Sequence, residues 1–196
     1  MTTSDSAPIR PERLMAELDR RLTGDAIVVA DASYASVWTV NYLRSRRPGM
    51  RFLTPRGLAG LGWGLPFAIG ARVARPEAPI WCVVGDGGFA HVWSELETAR
   101  RLGLSFVLMV LNNQVLGYQA HAEDLLFGDH SDVCDFNAVD HAAIARACGC
   151  EGWRIERASE IGPALDRAAA SDTVTLLDIV TDPKAYPPVT LYDAIK

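Results

Sequence analysis

Two unbroken apolar runs, each closed by a polar residue beside a turn, constrain this chain more than any other feature. Ile80-Trp81-Cys82-Val83-Val84 runs into Gly85-Asp86-Gly87-Gly88, and Phe106-Val107-Leu108-Met109-Val110-Leu111 runs into Asn112-Asn113-Gln114. Runs without alternation read as strands buried on both faces, which requires a parallel sheet covered by helices. Open sheets of that kind bind ligands beyond the carboxyl ends of their strands. A carboxylate, Asp86, and an amide, Asn113, at two such ends beside glycines make a hard-oxygen site suited to Mg²⁺ holding a phosphate.

The remaining pattern alternates between strand and helix. Pro11 opens a helix carrying Leu14, Met15, Leu18 and Leu22 on one face, and Ala26–Ala30 is a buried strand ending at Asp31. Ser33 suits the cap of a helix through Val37, Trp38 and Tyr42, and it suits a phosphate ligand equally well. A strand at Arg51–Thr54 and a glycine-rich passage, Gly57 to Gly64, lead into a helix over Leu65–Ala74. A helical pattern covers Phe89–Arg101, whereas Gln114–Phe136 shows little periodicity and reads as a long lid or binding loop. Helices at Ala138–Ala147 and Ser159–Ala169 alternate with strands at Trp153–Ile155 and Val174–Val180. The expected fold is α/β: a single open, mainly parallel sheet of about six strands with helices on both faces. With 196 residues, 49% of them hydrophobic, one domain over 9–196 follows, after a loose polar start at 1–8. The segment Tyr186-Pro187-Pro188 is expected to lie across the surface.

Several function classes drop out. A net charge of −5, with no basic run beyond Arg44-Ser45-Arg46-Arg47, argues against a nucleic-acid surface. No apolar stretch reaches the roughly 18–20 residues of a membrane span. The first residues lack the charged-then-apolar order of a signal peptide, so a cytoplasmic location is the expectation. Cys82, Cys134, Cys148 and Cys150 lack zinc-site spacing. Gly60-Leu61-Gly62-Trp63-Gly64 fails the dinucleotide fingerprint in its spacing and its missing acidic residue, and no glycine precedes a Lys-Ser/Thr pair.

Asn113 lies 27 residues beyond Asp86, room for one helix to return the chain to a neighbouring strand. A G-D-G, that interval, then N-N closing an apolar strand resembles the thiamine-diphosphate motif of the 2-oxoacid decarboxylases and carboligases. Gly57-Leu58-Ala59-Gly60-Leu61-Gly62-Trp63-Gly64-Leu65-Pro66, followed by Ala68-Ile69-Gly70-Ala71, is similar to the segment upstream of that motif in acetolactate synthases. The resemblance covers one domain of that family, the diphosphate-binding or PP domain. It implies that Asp86, Asn113 and the Val115 carbonyl hold Mg²⁺. Gly87 and Gly88 N–H groups would hold the diphosphate, where side chains would block its approach. Ser33, Tyr34 and Ala35 would sit near the diphosphate, although the synthases often carry Gln and His at the last two. Leu61 would wedge under the cofactor next to Gly60, the Ala59 carbonyl would accept from its amino group, and Leu116, Gly117 and Tyr118 would line the site.

The same resemblance implies a missing part. These enzymes activate the cofactor with a glutamate from a second, PYR-type domain, which nothing in this chain resembles; Glu17, Glu95 and Glu97 read as helix-face residues and Glu123 and Glu151 as loop residues. The chain begins with Met shortly before its first helix. The expectation is therefore a split enzyme, with a separate PYR-domain subunit in an α₂β₂ heterotetramer. Its reaction would be decarboxylation of a pyruvate-like 2-oxoacid with ligation to a carbonyl acceptor. The alternatives are a split simple decarboxylase of the sulfopyruvate or phosphonopyruvate type, or a non-catalytic cofactor-binding regulatory module. Ala122 aligns near the tryptophan that selects the second 2-oxoacid in the synthases, and His121 is the candidate to reach substrate as acid, base or donor.

Overall fold

Neighbouring residues along the strands bury against opposite faces of one sheet, in a computed structural model that describes residues 1–188. The strands are β1 (Ile27–Ala30), β2 (Arg51–Leu53), β3 (Ile80–Gly85), β4 (Val107–Asn112), β5 (Glu151–Ile155) and β6 (Thr175–Val180). Their order is β2-β1-β3-β4-β6-β5, and every pairing is parallel, so the sheet is wholly rather than mainly parallel. Val28, Trp81, Val83, Met109 and Leu177 pack on one face under helices α1 (Pro11–Asp19), α2 (Tyr34–Tyr42) and α8 (Ala158–Ala169). Val29, Cys82, Val84, Leu108 and Leu176 pack on the other, under α3 (Gly64–Ala74), α5 (Glu95–Arg101) and α7 (His141–Ala147). Burying one large aliphatic side chain contributes about 2 kcal/mol, so the two faces hold the sheet in register.

The chain leaves β1 for β2 at the edge, then crosses back to lay β3 on the other side of β1. That reversal is the topological switch point, and the crevice it opens faces the carboxyl ends of β1 and β3. Asp31 follows the first and Asp86 the second.

Three expectations need correction. The helix over Phe89–Arg101 is two short ones, α4 (Asp86–Ala90) and α5, joined by tight i→i+3 turns such as Val92 N–H to the Phe89 carbonyl and Leu96 N–H to the Trp93 carbonyl. The supposed loop at Gln114–Phe136 contains helix α6 (Gly117–Phe127), ended by Gly128 in the left-handed conformation, and a 3₁₀ turn at Asp132–Cys134. Glu123 therefore lies on a helix and Glu151 on β5. Residues 1–8 are mostly exposed and touch the domain through the Arg13–Asp5 pair, and Ile9 then bridges to Thr181. The end of the expected domain, 189–196, lies outside the described residues. Among the described residues no helix is long and apolar enough to cross a membrane.

Candidate functional site

Asp31 builds the first wall of the site. Its carboxylate is 1% exposed; Oδ2 accepts from Gly62 N–H at 2.9 Å, and Oδ1 accepts from Trp63 N–H at 3.1 Å and Ala32 N–H at 2.8 Å. Those bonds fasten the glycine-rich passage, which has little secondary structure of its own, across the end of β1. They also explain two glycines. A Cβ on Gly88 would collide with Asp31 Oδ2, and one on Gly64 with Val84.

Asp86 begins α4 at the end of β3 and is 5% exposed. Its Oδ2 accepts from Gln114 N–H at 2.6 Å and its Oδ1 from Gly87 N–H at 2.8 Å. Burial nevertheless pushes its pKa up to about 6, against the opposing pull of those N–H groups. No basic side chain pairs with it among the described residues. Asn113 Oδ1 stands next along the cleft, receiving only a long 3.4 Å contact from Val115 N–H. Asp86, Asn113 and Val115 thus line one cleft, together with Ser33, Tyr34, Ala35, Leu61, Gly87, Gly88, Leu116 and Gly117. It encloses about 520 Å³ of empty space, its open mouth included.

Leu61 and Leu116 divide this cleft from a second one, which Ala59 and Tyr118 line. Gly60 lines neither and packs against Trp63 instead. A Cβ on Gly87 would lie 2.8 Å from Leu116 Cδ2 and 2.9 Å from Phe136 Cε2. A Cβ at either position would require a neighbouring side chain to shift, Leu116 or Phe136 at Gly87 and Asp31 at Gly88.

Three non-glycine residues among those described have positive φ: Ser33 (65°) and Ala59 (56°), which line the clefts, and Gln114 (60°), next to the cleft residues Asn113 and Val115. Each such residue costs about 1–3 kcal/mol, and such strain concentrates at working sites. Ser33 occupies the cap position of α2, but its side chain makes no capping bond. Gln114 uses its conformation to turn its N–H back onto Asp86.

His121 sits elsewhere than in the cleft lining. Its ring stacks on Tyr186 at 3.9 Å, its Nδ1 shares a hydrogen bond with the Tyr34 hydroxyl, and burial holds its pKa below the usual value. The tail thereby covers α6 through Tyr186, with Ala185 buried beneath.

Sequence reasoning missed two buried carboxylates. Asp31 is one; Asp178 on β6, fully buried, is the other. Asp178 accepts from Asn112 Nδ2 at 2.8 Å, His141 N–H at 3.1 Å and Arg154 Nη1 at 2.9 Å. Asn112 is thus a structural residue, holding the end of β4 so that Asn113 projects into the cleft. The adjacent asparagines have separate duties.

Fold and cleft together define an α/β protein with an open cleft at the switch point of a parallel sheet. The chain belongs to the thiamine pyrophosphate enzymes, whose C-terminal TPP binding domain model matches residues 31–179. It is 32% identical over 187 residues to a probable acetolactate synthase large subunit of Methanococcus aeolicus, covering 92% of this chain and 31% of that protein. A putative acetolactate synthase large subunit of Mycobacterium tuberculosis is 36% identical over 182 residues, 92% of this chain and 32% of that one. The acetolactate synthase isozyme 2 large subunit of Escherichia coli is 34% identical over 170 residues, 86% and 31% respectively. The chain spans about a third of the length of these relatives. It is a thiamine-diphosphate-binding PP domain of the acetolactate synthase-like kind.

Proposed function

We propose that this domain is the PP unit of a thiamine-diphosphate- and Mg²⁺-dependent enzyme that decarboxylates a pyruvate-like 2-oxoacid and ligates the acyl unit to a carbonyl acceptor. The PYR unit comes from a separate polypeptide, in an α₂β₂ assembly. The observation that carries the reading is Asp86: a buried carboxylate with its pKa raised to about 6, in a cleft that Asn113 and Val115 also line, with no basic side chain paired to it among the described residues. A divalent cation supplies the missing positive charge, and Asp86, Asn113 Oδ1 and the Val115 carbonyl are the hard donors it prefers.

When bound, thiamine diphosphate supplies the electron sink for decarboxylation. The chain's own residues hold it. Asp86, Asn113 and Val115 fix the metal; the turn at Gly87 and Gly88 brings backbone close to the diphosphate. Asp31 braces the passage that presents the Ala59 carbonyl and the Leu61 side chain. In this reading His121 orients Tyr34 at the cleft wall rather than exchanging protons with substrate.

The activating glutamate is assigned to a PYR unit outside this domain because the carboxylates lining the metal-side cleft are Asp86 and Asp182, and Asp182 is taken by Arg10. Glu123, across Leu61, is engaged by Gln119 and Ser131. The test is to reconstitute the chain with a PYR-domain polypeptide, Mg²⁺ and thiamine diphosphate, and follow products from a panel of 2-oxoacids. Acetolactate-type products are expected; full turnover by the chain alone would refute the split assembly, and aldehyde as sole product would favour a simple decarboxylase.

A further inference from the structure

The end of the sheet opposite the cofactor cleft holds a buried charge that the chain itself leaves unpaired. Arg72, in the last turn of α3, is half-buried, and its Nη1 donates to the Pro76 carbonyl. It forms no ion pair among the described residues, and its buried Nε has no hydrogen-bond partner. Trp81, near the start of β3, is 4% exposed, and its buried indole N–H is likewise without a partner. Both residues wall one pocket, with Ser105 and Phe106 ahead of β4 and Ala169 and Ser171 at the end of α8. The pocket encloses about 310 Å³ of empty space, its open side included, and no carboxylate lines it.

Buried charges are paired as a rule, because taking an ion out of water is costly. Arg10 and Arg21 follow that rule: hydrogen bonds to Glu12 and Asp166 push their pKa values up. At Arg72 burial pulls the value down, and the carboxylate that opposes it, Glu77, lies on the exposed turn after the helix and forms no ion pair with it. A guanidinium and an indole N–H can only donate. A water accepting from both would leave the charge unbalanced. An oxyanion meets both needs, since its oxygens accept and its charge offsets the guanidinium. The space suits a compact one, at the small end of ligand clefts.

We propose that Arg72 and Trp81 form a binding site for a compact oxyanion, a phosphate or carboxylate group, at the amino ends of β3 and β4. The site lies roughly 15–20 Å from Asp86 along β3, so its occupant does not compete with the cofactor. Bound there, the anion joins α3 to β3 and to the end of α8. Neither the proposed reaction nor the metal is needed for it.

The test is a titration of the ¹⁵N-labelled chain, free of metal and cofactor, with inorganic phosphate, acetate and chloride at matched ionic strength. The indole N–H signal of Trp81 is expected to move saturably with phosphate or acetate, with a Kd on the order of 1 mM, and not with chloride. Tighter binding of phosphate identifies a phosphate-type ligand, and tighter binding of acetate a carboxylate. Arg72→Gln should weaken binding roughly 10-fold to 100-fold, and Arg72→Lys less, because lysine keeps the charge and loses the fork. A Trp81 signal that moves with neither anion overturns the proposal, as does binding unchanged in Arg72→Gln. Movement of Trp63, beside the glycine-rich passage, with none at Trp81 would place the anion in the cofactor cleft and overturn it too. Crystals soaked in phosphate that show only a water between Arg72 and Trp81 would do the same. If Arg72→Gln does not fold, Arg72→Lys and the titration of the parent chain still decide.

Discussion

Metal-free chain should carry a measurable penalty at Asp86, and its pH dependence isolates it. The carboxyl has a folded pKa of about 6 against an ordinary 3.8, because burial disfavours its charged form. A raised carboxyl pKa means that the folded state keeps a proton which the unfolded state releases between those two values. Stability from this group is therefore highest below pH 3.8, falls as pH rises through the window, and is flat above about 6. At 1.36 kcal/mol per pKa unit the whole loss is about 3 kcal/mol, of which about 2 kcal/mol falls between pH 4.5 and 7.5. Asp86→Asn has no such dependence. Its amide faces the Gln114 and Gly87 N–H donors, a cost that is independent of pH and shifts both ends of the comparison equally. Urea unfolding in EDTA should thus show the variant gaining about 2 kcal/mol on the parent between pH 4.5 and 7.5. Saturating Mg²⁺ and thiamine diphosphate should stabilise the parent most at the higher pH, where Asp86 is ionised, and the variant little. A difference constant to within about 0.5 kcal/mol across that range would refute the assignment of a buried, uncompensated carboxylate.

Asp31→Ala leaves the N–H groups of Gly62 and Trp63 without an acceptor; a stability loss of about 3 kcal/mol is expected in urea titrations, with weaker thiamine diphosphate binding by calorimetry. Gly88→Ala, colliding with Asp31, should cost about 1–3 kcal/mol, whereas Gly70→Ala on α3, with open space around the added methyl, should gain up to about 1 kcal/mol. Thermal melts of the two variants side by side separate packing from generic helix propensity. Asp178→Ala removes the buried acceptor shared by Arg154, Asn112 and the His141 N–H, leaving Arg154 with Glu156 and Asn112 with the Val139 carbonyl, and should cost about 3 kcal/mol in urea unfolding while lowering metal affinity through a loosened β4 end.

The sheet was legible because β3 and β4 are buried on both faces and so appear in sequence as unbroken apolar runs. Helix α6 was not. Its buried residues are Gly117 and Ala120, two small side chains that leave no apolar stripe to detect. Asp86 and Asn113 could be read from their place at strand ends and from their spacing. Asp31 could not, because its partners are backbone N–H groups of a passage about thirty residues away, a relation no side-chain pattern records. The same holds for Asp178, whose bonds divide the two asparagines into a brace and a cleft residue. Gly87 and Gly88 were legible as glycines at a strand-to-helix turn, but their close contacts with Leu116, Phe136 and Asp31 were not.

In the proposed function, Asp86, Asn113 and the Val115 carbonyl hold the cofactor's metal. Anomalous diffraction from crystals of the chain grown with Mn²⁺ and thiamine diphosphate tests it most directly. One strong peak is expected, bonded to those three oxygens at roughly 2.1–2.2 Å, as for a Mg²⁺-type octahedral site. A peak at the more exposed Asp124–Asp129–His130 group, whose ligand atoms lie within 4.8 Å of one another, with none at Asp86, would contradict it.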